Sequence, residues 1–134
     1  MTAPEPEIAY LDASAAVKLL VAEPETTPLR EALAAFRYLI SSELLRVELH
    51  CVAQRAVVAR RAVDDLLAAL GLLTIDRSVV ERATTPFEPS QRALDALHLA
   101  SALPLADRLA FFSYDHRQLA AARAEGLTTR SPGW

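Results

Sequence analysis

Short β-prone runs alternate with longer helical stretches along the whole chain, and this alternation limits the possible folds more than any other feature. Ile8-Ala9-Tyr10-Leu11 reads as a wholly apolar strand running into Asp12. Tyr38-Leu39-Ile40, Leu72-Leu73-Thr74-Ile75, Leu109-Ala110-Phe111-Phe112-Ser113 and Leu127-Thr128-Thr129-Arg130 read as further strands. Helices are predicted from Ser14 to about Val21 and from Thr27 to Phe36. Another runs from the hydroxyl start Ser41-Ser42-Glu43 to about Ala59, followed by one from Ala62 to Leu70 that Gly71 ends. A short helix capped by Asp76 or Ser78 leads to one opening at Pro89-Ser90 and stopped by Pro104, and a last one, 116–125, closes at Gly126. Strands and helices in alternation imply an α/β fold of three layers, with a parallel sheet of about four to five strands covered on both faces. The 134 residues fit a single domain. Ligands of such sheets bind beyond the carboxyl ends of the strands, where Asp12 and Asp115 both fall.

Composition narrows the chemistry. The three glycines, Gly71, Gly126 and Gly133, form no phosphate-cradling loop, which excludes P-loop and dinucleotide motifs. One cysteine (Cys51) and three scattered histidines give no zinc spacing and no internal disulfide, so a reducing compartment is expected. No Gly-x-Ser-x-Gly elbow occurs. The longest apolar run, Leu66 to Leu73, falls short of the roughly 20 residues a membrane span requires. The acidic, Pro-rich start Met1 to Glu7 is unlike a secretory signal and is expected to be a flexible extension of a cytoplasmic protein. A net charge of −3 means that any contact with RNA must come from a local basic patch.

What remains is a set of acids in apolar surroundings. Asp12 ends the first strand and serves either as a helix cap or as a metal ligand at the sheet rim. Glu48 shares its helical stripe with Leu44, Leu45, Cys51 and Val52, where a surface Glu would not normally stand. It is either part of a site or paired with Arg46 or Arg55. Asp95 lies in Ala93-Leu94-Asp95-Ala96-Leu97-His98-Leu99, with Arg92 and His98 as possible partners and His98 read as a structural histidine. Asp115 after Ser113-Tyr114 is an ordinary cap unless Asp12 is its neighbour in space. Glu43 has a structural task at its helix start. Buried carboxylates gathered together resist ionising side by side, and a divalent cation held between their oxygens relieves this.

The stretches Tyr10-Leu11-Asp12-Ala13-Ser14-Ala15-Ala16-Val17-Lys18, Leu44-Leu45-Arg46-Val47-Glu48-Leu49, Leu94-Asp95-Ala96-Leu97-His98-Leu99-Ala100-Ser101 and Phe112-Ser113-Tyr114-Asp115-His116-Arg117 together resemble the PIN-domain ribonucleases, most closely the VapC toxins of toxin–antitoxin pairs. The segments follow the family's order over nearly the whole chain. The resemblance implies a PIN-like α/β/α sandwich and an acidic pocket formed by Asp12, Glu48, Asp95 and Asp115. It also implies an endoribonuclease dependent on Mg²⁺ or Mn²⁺. Ser113 matches the family's small hydroxyl residue on the last active-site strand, and Ser14 a polar residue near the first Asp. The resemblance further implies a homodimer and an antitoxin partner wrapping apolar helical surface, for which Leu66 to Leu73 and the pair Val57-Val58 are candidates.

RNA contacts are expected from Lys18, Arg46, Arg92, His116 and Arg117, which lie near the acids in sequence. Two other readings stand beside this one. A catalytically silent PIN-fold binding module would keep the fold without the metal. A receiver-like phospho-signalling domain would need an acid pair after the first strand and a late lysine, neither of which is present.

Overall fold

The structure, a computed structural model, describes residues 4–134. Five strands form one sheet: β1 (Ile8–Leu11), β2 (Tyr38–Ser42), β3 (Gly71–Leu73), β4 (Leu109–Phe112) and β5 (Thr128–Arg130). Their order is β3-β2-β1-β4-β5, and every pairing is parallel. Parallel neighbours need crossovers, which α1 (Ala13–Val17), α2 (Thr26–Leu33), α3 (Leu44–Ala56), α4 (Arg60–Ala68), α5 (Arg77–Thr84), α6 (Ala93–Ala102) and α7 (His116–Ala124) supply. This is the three-layer sandwich anticipated from the alternation. Its order differs from the 2-1-3-4-5 arrangement of receiver domains, so the receiver reading is excluded.

The central strands β1 and β4 are buried along their full length because helices cover both faces. The two-residue period of a strand divides their side chains between two cores. Ala9, Leu11, Ala110 and Phe112 pack with Leu29, Leu45, Leu49, Val63 and Leu67 from the α1–α4 layer. Ile8, Tyr10, Leu109 and Phe111 pack with Leu99, Ala102, Ala121 and Ala122 of α6 and α7. In this second core Tyr10 stands opposite Phe111 in the strand register and stacks on it, the ring centroids 5.4 Å apart. Aromatic pairing therefore adds to area burial where β1 meets β4.

Several boundaries differ from the sequence reading. Helix α1 stops at Val17, because Lys18 turns inward to bond Glu23 and Glu25 and the chain leaves the helix there. Gly71 opens β3 instead of ending α4: it lies so close to β2 that a Cβ would meet Ile40 Cγ2 at 3.3 Å. Helix α6 starts at Ala93, after a loop that includes Pro89 and Ser90. Gly126 closes α7 as expected, with φ 88°. Of the expected flexible extension, residues 1–3 lie outside the described residues. Glu7 is fastened, its N–H donating to Arg108 O and its carboxylate paired with the Arg108 guanidinium. Among the described residues no helix is long and apolar enough to cross a membrane.

The apolar run expected to face a partner is largely internal. Leu67 and Leu70 are buried, while Leu66, Leu72 and Val58 pack against the first core and Leu73 against the second. Of the large apolar side chains in these two stretches only Val57 is exposed, at 91%, at the end of α3 with φ 56° and ψ 45°. A β-branched residue in the left-handed region is strained, and glycine is not. Val57→Gly is expected to raise unfolding stability by about 1 kcal/mol in urea denaturation, because it relieves strain and removes no packed side chain.

Candidate active site

From β1 the chain steps outward to β2 and β3, then returns to place β4 on the other side of β1. The direction of winding reverses between β1 and β4, and there the crossovers part to leave a crevice at the carboxyl ends. Asp12 follows β1 into this crevice, and Ser113, Tyr114 and Asp115 follow β4.

Asp12 is 1% exposed. It caps α1, its Oδ1 accepting from the Ala15 N–H at 2.9 Å and from the Ser14 hydroxyl at 2.6 Å. The cap reading left open by the sequence is thus realised, and a buried carboxylate stands at the rim as well. Ser14 Oγ also accepts from the Tyr114 N–H at 2.8 Å and lies 3.3 Å from Ser113 Oγ. Ser113 Oγ in turn accepts from the Asp115 N–H. Hydroxyls therefore link the two aspartates across the β1–β4 seam. Burial raises the Asp12 pKa above the ordinary carboxylate range, opposed by the hydroxyls of Ser113 and Ser14, by His98 and by the Ala15 N–H.

Asp115 caps α7, its Oδ1 accepting from the Gln118 N–H at 3.0 Å. The buried Gln118 amide donates to the Asp95 carbonyl oxygen at 3.2 Å, fixing α6 against α7. Asp95 and Asp115 then line one cavity of about 390 Å³ with Ser90, Gln91, Arg92 and Arg117. Burial raises the Asp95 pKa, and the negative charge of Asp115 raises it further. Glu48 adds to the shift, while His98 and Arg92 oppose it. Among the described residues, neither Arg92 nor His98 forms an ion pair with the Asp95 carboxylate.

Glu48 reaches the same region from α3 but is held by a partner absent from the sequence reading. Its Oε1 lies 2.6 Å from His98 Nε2, and His98 Nδ1 lies 2.7 Å from the Tyr10 hydroxyl. With Tyr10 donating to Nδ1 and Nε2–H donating to the part-buried Glu48, the buried hydroxyl and both ring nitrogens are satisfied. The chain Tyr10–His98–Glu48 joins the two helical layers over the rim. Neither Arg46 nor Arg55 pairs with Glu48 among the described residues.

Comparison with known proteins identifies the family and the fold. The PIN-domain family model matches residues 9–124. The chain belongs to the PIN-domain family. It is 40% identical to Ribonuclease VapC47 of Mycobacterium tuberculosis, over 92% of this chain and 96% of that one. It is 40% identical to Ribonuclease VapC46 of the same organism, with the same coverage. A toxin–antitoxin complex from Klebsiella pneumoniae contains a chain of the same fold, with TM-score 0.71 and 18% identity over 92% of this chain and 97% of that one. VapBC-5 from Mycobacterium tuberculosis also shares the fold, with TM-score 0.57 and 18% identity over 93% of this chain and 97% of the other.

Within this PIN domain, Asp12, Ser14, Ser113, Asp115, Asp95 and Glu48 all gather at the sheet's carboxyl rim. Arg92 and Arg117 line the pocket. Arg117 is braced by Ser90, its Nε donating to the carbonyl at 2.6 Å and Nη2 to the hydroxyl at 2.8 Å. Lys18 does not serve as expected. It is buried, paired with Glu23 at 3.0 Å and Glu25 at 3.2 Å, and lies over the Tyr114 ring. Glu43 is exposed and accepts from the Ile75 N–H, a strand-edge tie away from the pocket. The role of His98 was legible only in part: its place three residues after Asp95 put it near the site, but its partners lie on other elements.

Hard oxygen donors suit Mg²⁺ or Mn²⁺. Among the described residues no three His, Cys, Asp or Glu side chains stand ready to ligate one ion. The fit is therefore to a small hydrated cation, since Mg²⁺ keeps several waters and is held through one or two carboxylates. Asp95 and Asp115, which line the same pocket, are the two carboxylates that could supply these.

A carboxylate whose folded-state pKa is raised weakens the fold above that pKa and is neutral to stability below the unfolded value. Asp12→Asn keeps an oxygen for Ser14 and Ala15 and removes the buried charge. The variant is expected to melt at a higher temperature than the parent at neutral pH without divalent ions. This advantage should shrink as pH falls toward the ordinary carboxylate range, as read by thermal melts across pH. By contrast, His98→Ala should lower stability by about 2–4 kcal/mol, because it opens a cavity and leaves both Tyr10 and Glu48 unpaired.

Proposed function

We propose that this PIN domain is a divalent-metal-dependent endoribonuclease acting as the toxin of a toxin–antitoxin pair. The observation that supports the reading is that Asp95 and Asp115 line one pocket at the switch point of the sheet, with Glu48 close enough for its charge to act on Asp95 and Asp12 buried at the end of β1 beside it. Two relatives that share 40% identity over nearly their whole length carry the name ribonuclease, which supports the same activity here. The structural neighbour from Klebsiella pneumoniae belongs to a toxin–antitoxin complex, which supports an antitoxin partner for this chain.

In this mechanism Arg92 and Arg117 receive the phosphate of an RNA strand at the mouth of the pocket. The planar guanidinium forks suit this task, and bracing by Ser90 lowers the cost of ordering Arg117. Asp95 and Asp115 would hold the metal, whose chemistry would be to acidify a water and to offset charge on the leaving oxygen. Water oxygen adds to phosphorus as it gives up a proton to solvent, the P–O bond to one ribose breaks, and the departing ribose oxygen takes a proton from solvent, so protons balance. Asp12, kept in place by Ser14 and Ala15, orients water from the β1 side. Glu48, kept in place by His98, closes the pocket from α3.

The antitoxin would lie on the helical layer carrying α1, α2 and α4. There Leu19, Leu20, Ala62 and Leu66 form an apolar groove edged by Arg30 and Asp65. A homodimer in the cytoplasm completes the proposal. A silent binding module is favoured by one feature, that Asp12 and Glu48 are already hydrogen-bonded within the chain. Metal titration separates the two, because a silent module would show no saturable Mg²⁺ or Mn²⁺ binding.

Asp95→Asn is expected to reduce RNA cleavage by about 10–100-fold or more, the scale at which groups around a catalytic metal act. Chelation should abolish cleavage and Mn²⁺ should restore it, as followed on gels with the variant shown folded by circular dichroism. Wild-type rates in the variant, or in the chelated enzyme, would overturn the proposal.

A further inference from the structure

Beside the carboxylate pocket lies a second depression, lined by His116, Leu119, Arg123, Ser131 and Trp134, which the mechanism above leaves unused. The His116 imidazole lies flat against the Trp134 indole, with centroids 4.1 Å apart and planes 18° from parallel. Tyr114 meets the indole edge-on at 5.7 Å. Both members of the stack remain open to solvent, and Trp134 is 52% exposed.

The indole is not at the end of a loose tail. The Tyr114 hydroxyl donates to Pro132 O at 2.8 Å, Ser131 Oγ donates to Ser113 O at 2.7 Å, and the Trp134 N–H donates to Ser131 O at 3.2 Å. Gly133, at φ 79°, sits so close to Pro28 that a Cβ would meet its Cγ at 2.9 Å. These ties fix an exposed aromatic face in a set position, the preorganisation that lowers the entropy cost of binding. The arrangement also lies beside the chemistry. Asp115, His116 and Arg117 are consecutive, with Cα atoms about 3.8 Å apart, so the start of α7 gives two side chains to the carboxylate pocket and His116 to the stack.

We propose that the His116–Trp134 stack is a platform for a nucleobase of single-stranded RNA flanking the scissile phosphodiester, with Arg123 at its edge for the backbone. This deepens the ribonuclease reading and rests on it. A flat, rigid π-face beside a guanidinium suits an unpaired nucleotide, because every base offers a face to stack and a phosphate to neutralise. An apolar protein partner would gain less from an imidazole–indole surface with an arginine at its margin.

The chain contains a single tryptophan, so its emission reports on this position alone. The test titrates a short fluorescein-labelled single-stranded RNA of mixed sequence into the Asp95→Asn protein, with gels showing that the RNA stays intact. Anisotropy and tryptophan emission are followed together. Emission should be quenched with the same midpoint as the anisotropy rise. Trp134→Ala should weaken binding about 10-fold or more, whereas Trp134→Phe should restore most of it. The salt dependence of binding should be the same in Trp134→Ala as in the parent and shallower in Arg123→Ala, because stacking releases no counterions. If Trp134→Ala proves unstable, His116→Ala and the parent's emission carry the same test. Binding with constant emission and unchanged affinity in the folded Trp134→Ala or His116→Ala protein would mean the stack only closes the fold, and would overturn the platform while leaving the nuclease intact. No RNA binding together with no cleavage by the parent would overturn both.

Discussion

A carboxylate buried where two parallel strands diverge is the constraint around which the rest of this protein is arranged. Asp12 sits where the winding direction of the sheet reverses, and it is nearly free of solvent. Removing a charge from water is costly unless hydrogen bonds or an opposite charge compensate. The chain supplies the bonds locally, from Ser14 and the Ala15 amide, and across the seam through Ser113. These contacts satisfy the first oxygen of Asp12 without neutralising the group. Burial nonetheless outweighs these bonds and keeps the Asp12 pKa above its ordinary value, so the group is hydrogen-bonded without being fully compensated as an anion.

The other acids follow from the same geometry. Asp115 caps the helix after β4 and so cannot avoid the crevice that Asp12 enters from β1. Asp95 is carried to it by α6, which the Gln118 amide fastens to α7. Glu48 comes from the opposite layer and would be free to swing away but for His98. The histidine turns one flexible carboxylate into a fixed one, at the expense of burying a tyrosine hydroxyl and an imidazole that must satisfy each other. Asp12 and Asp115 are thus placed by helix caps, which the backbone dictates, Asp95 by the first turn of α6, and Glu48 by a side-chain relay.

Basic residues divide along similar lines. Arg117 is braced by Ser90 at the lining of the pocket, whereas Lys18 is consumed by Glu23 and Glu25 and lies over the Tyr114 ring. Proximity to an acid in sequence did not separate these two cases. The deciding factor is which neighbours the fold delivers: Glu23 and Glu25 follow Lys18 by one turn of loop and close on it before any external ligand could.

Alternating apolar runs and helical stretches determined the layers, the parallel strands and the rim on which Asp12 and Asp115 stand, because strand period and crossover length leave few alternatives. The stretches around Asp12, Glu48, Asp95 and Asp115 were enough to name the family. Only the tertiary structure decided that His98 holds Glu48, that Lys18 is spent inside the chain, that α6 begins after Ser90, and that Trp134 is fixed upon His116. The histidine and tryptophan contacts join residues far apart in the chain, and the lysine contacts depend on how an irregular loop folds back, so local propensity carries no information about which side chain will arrive.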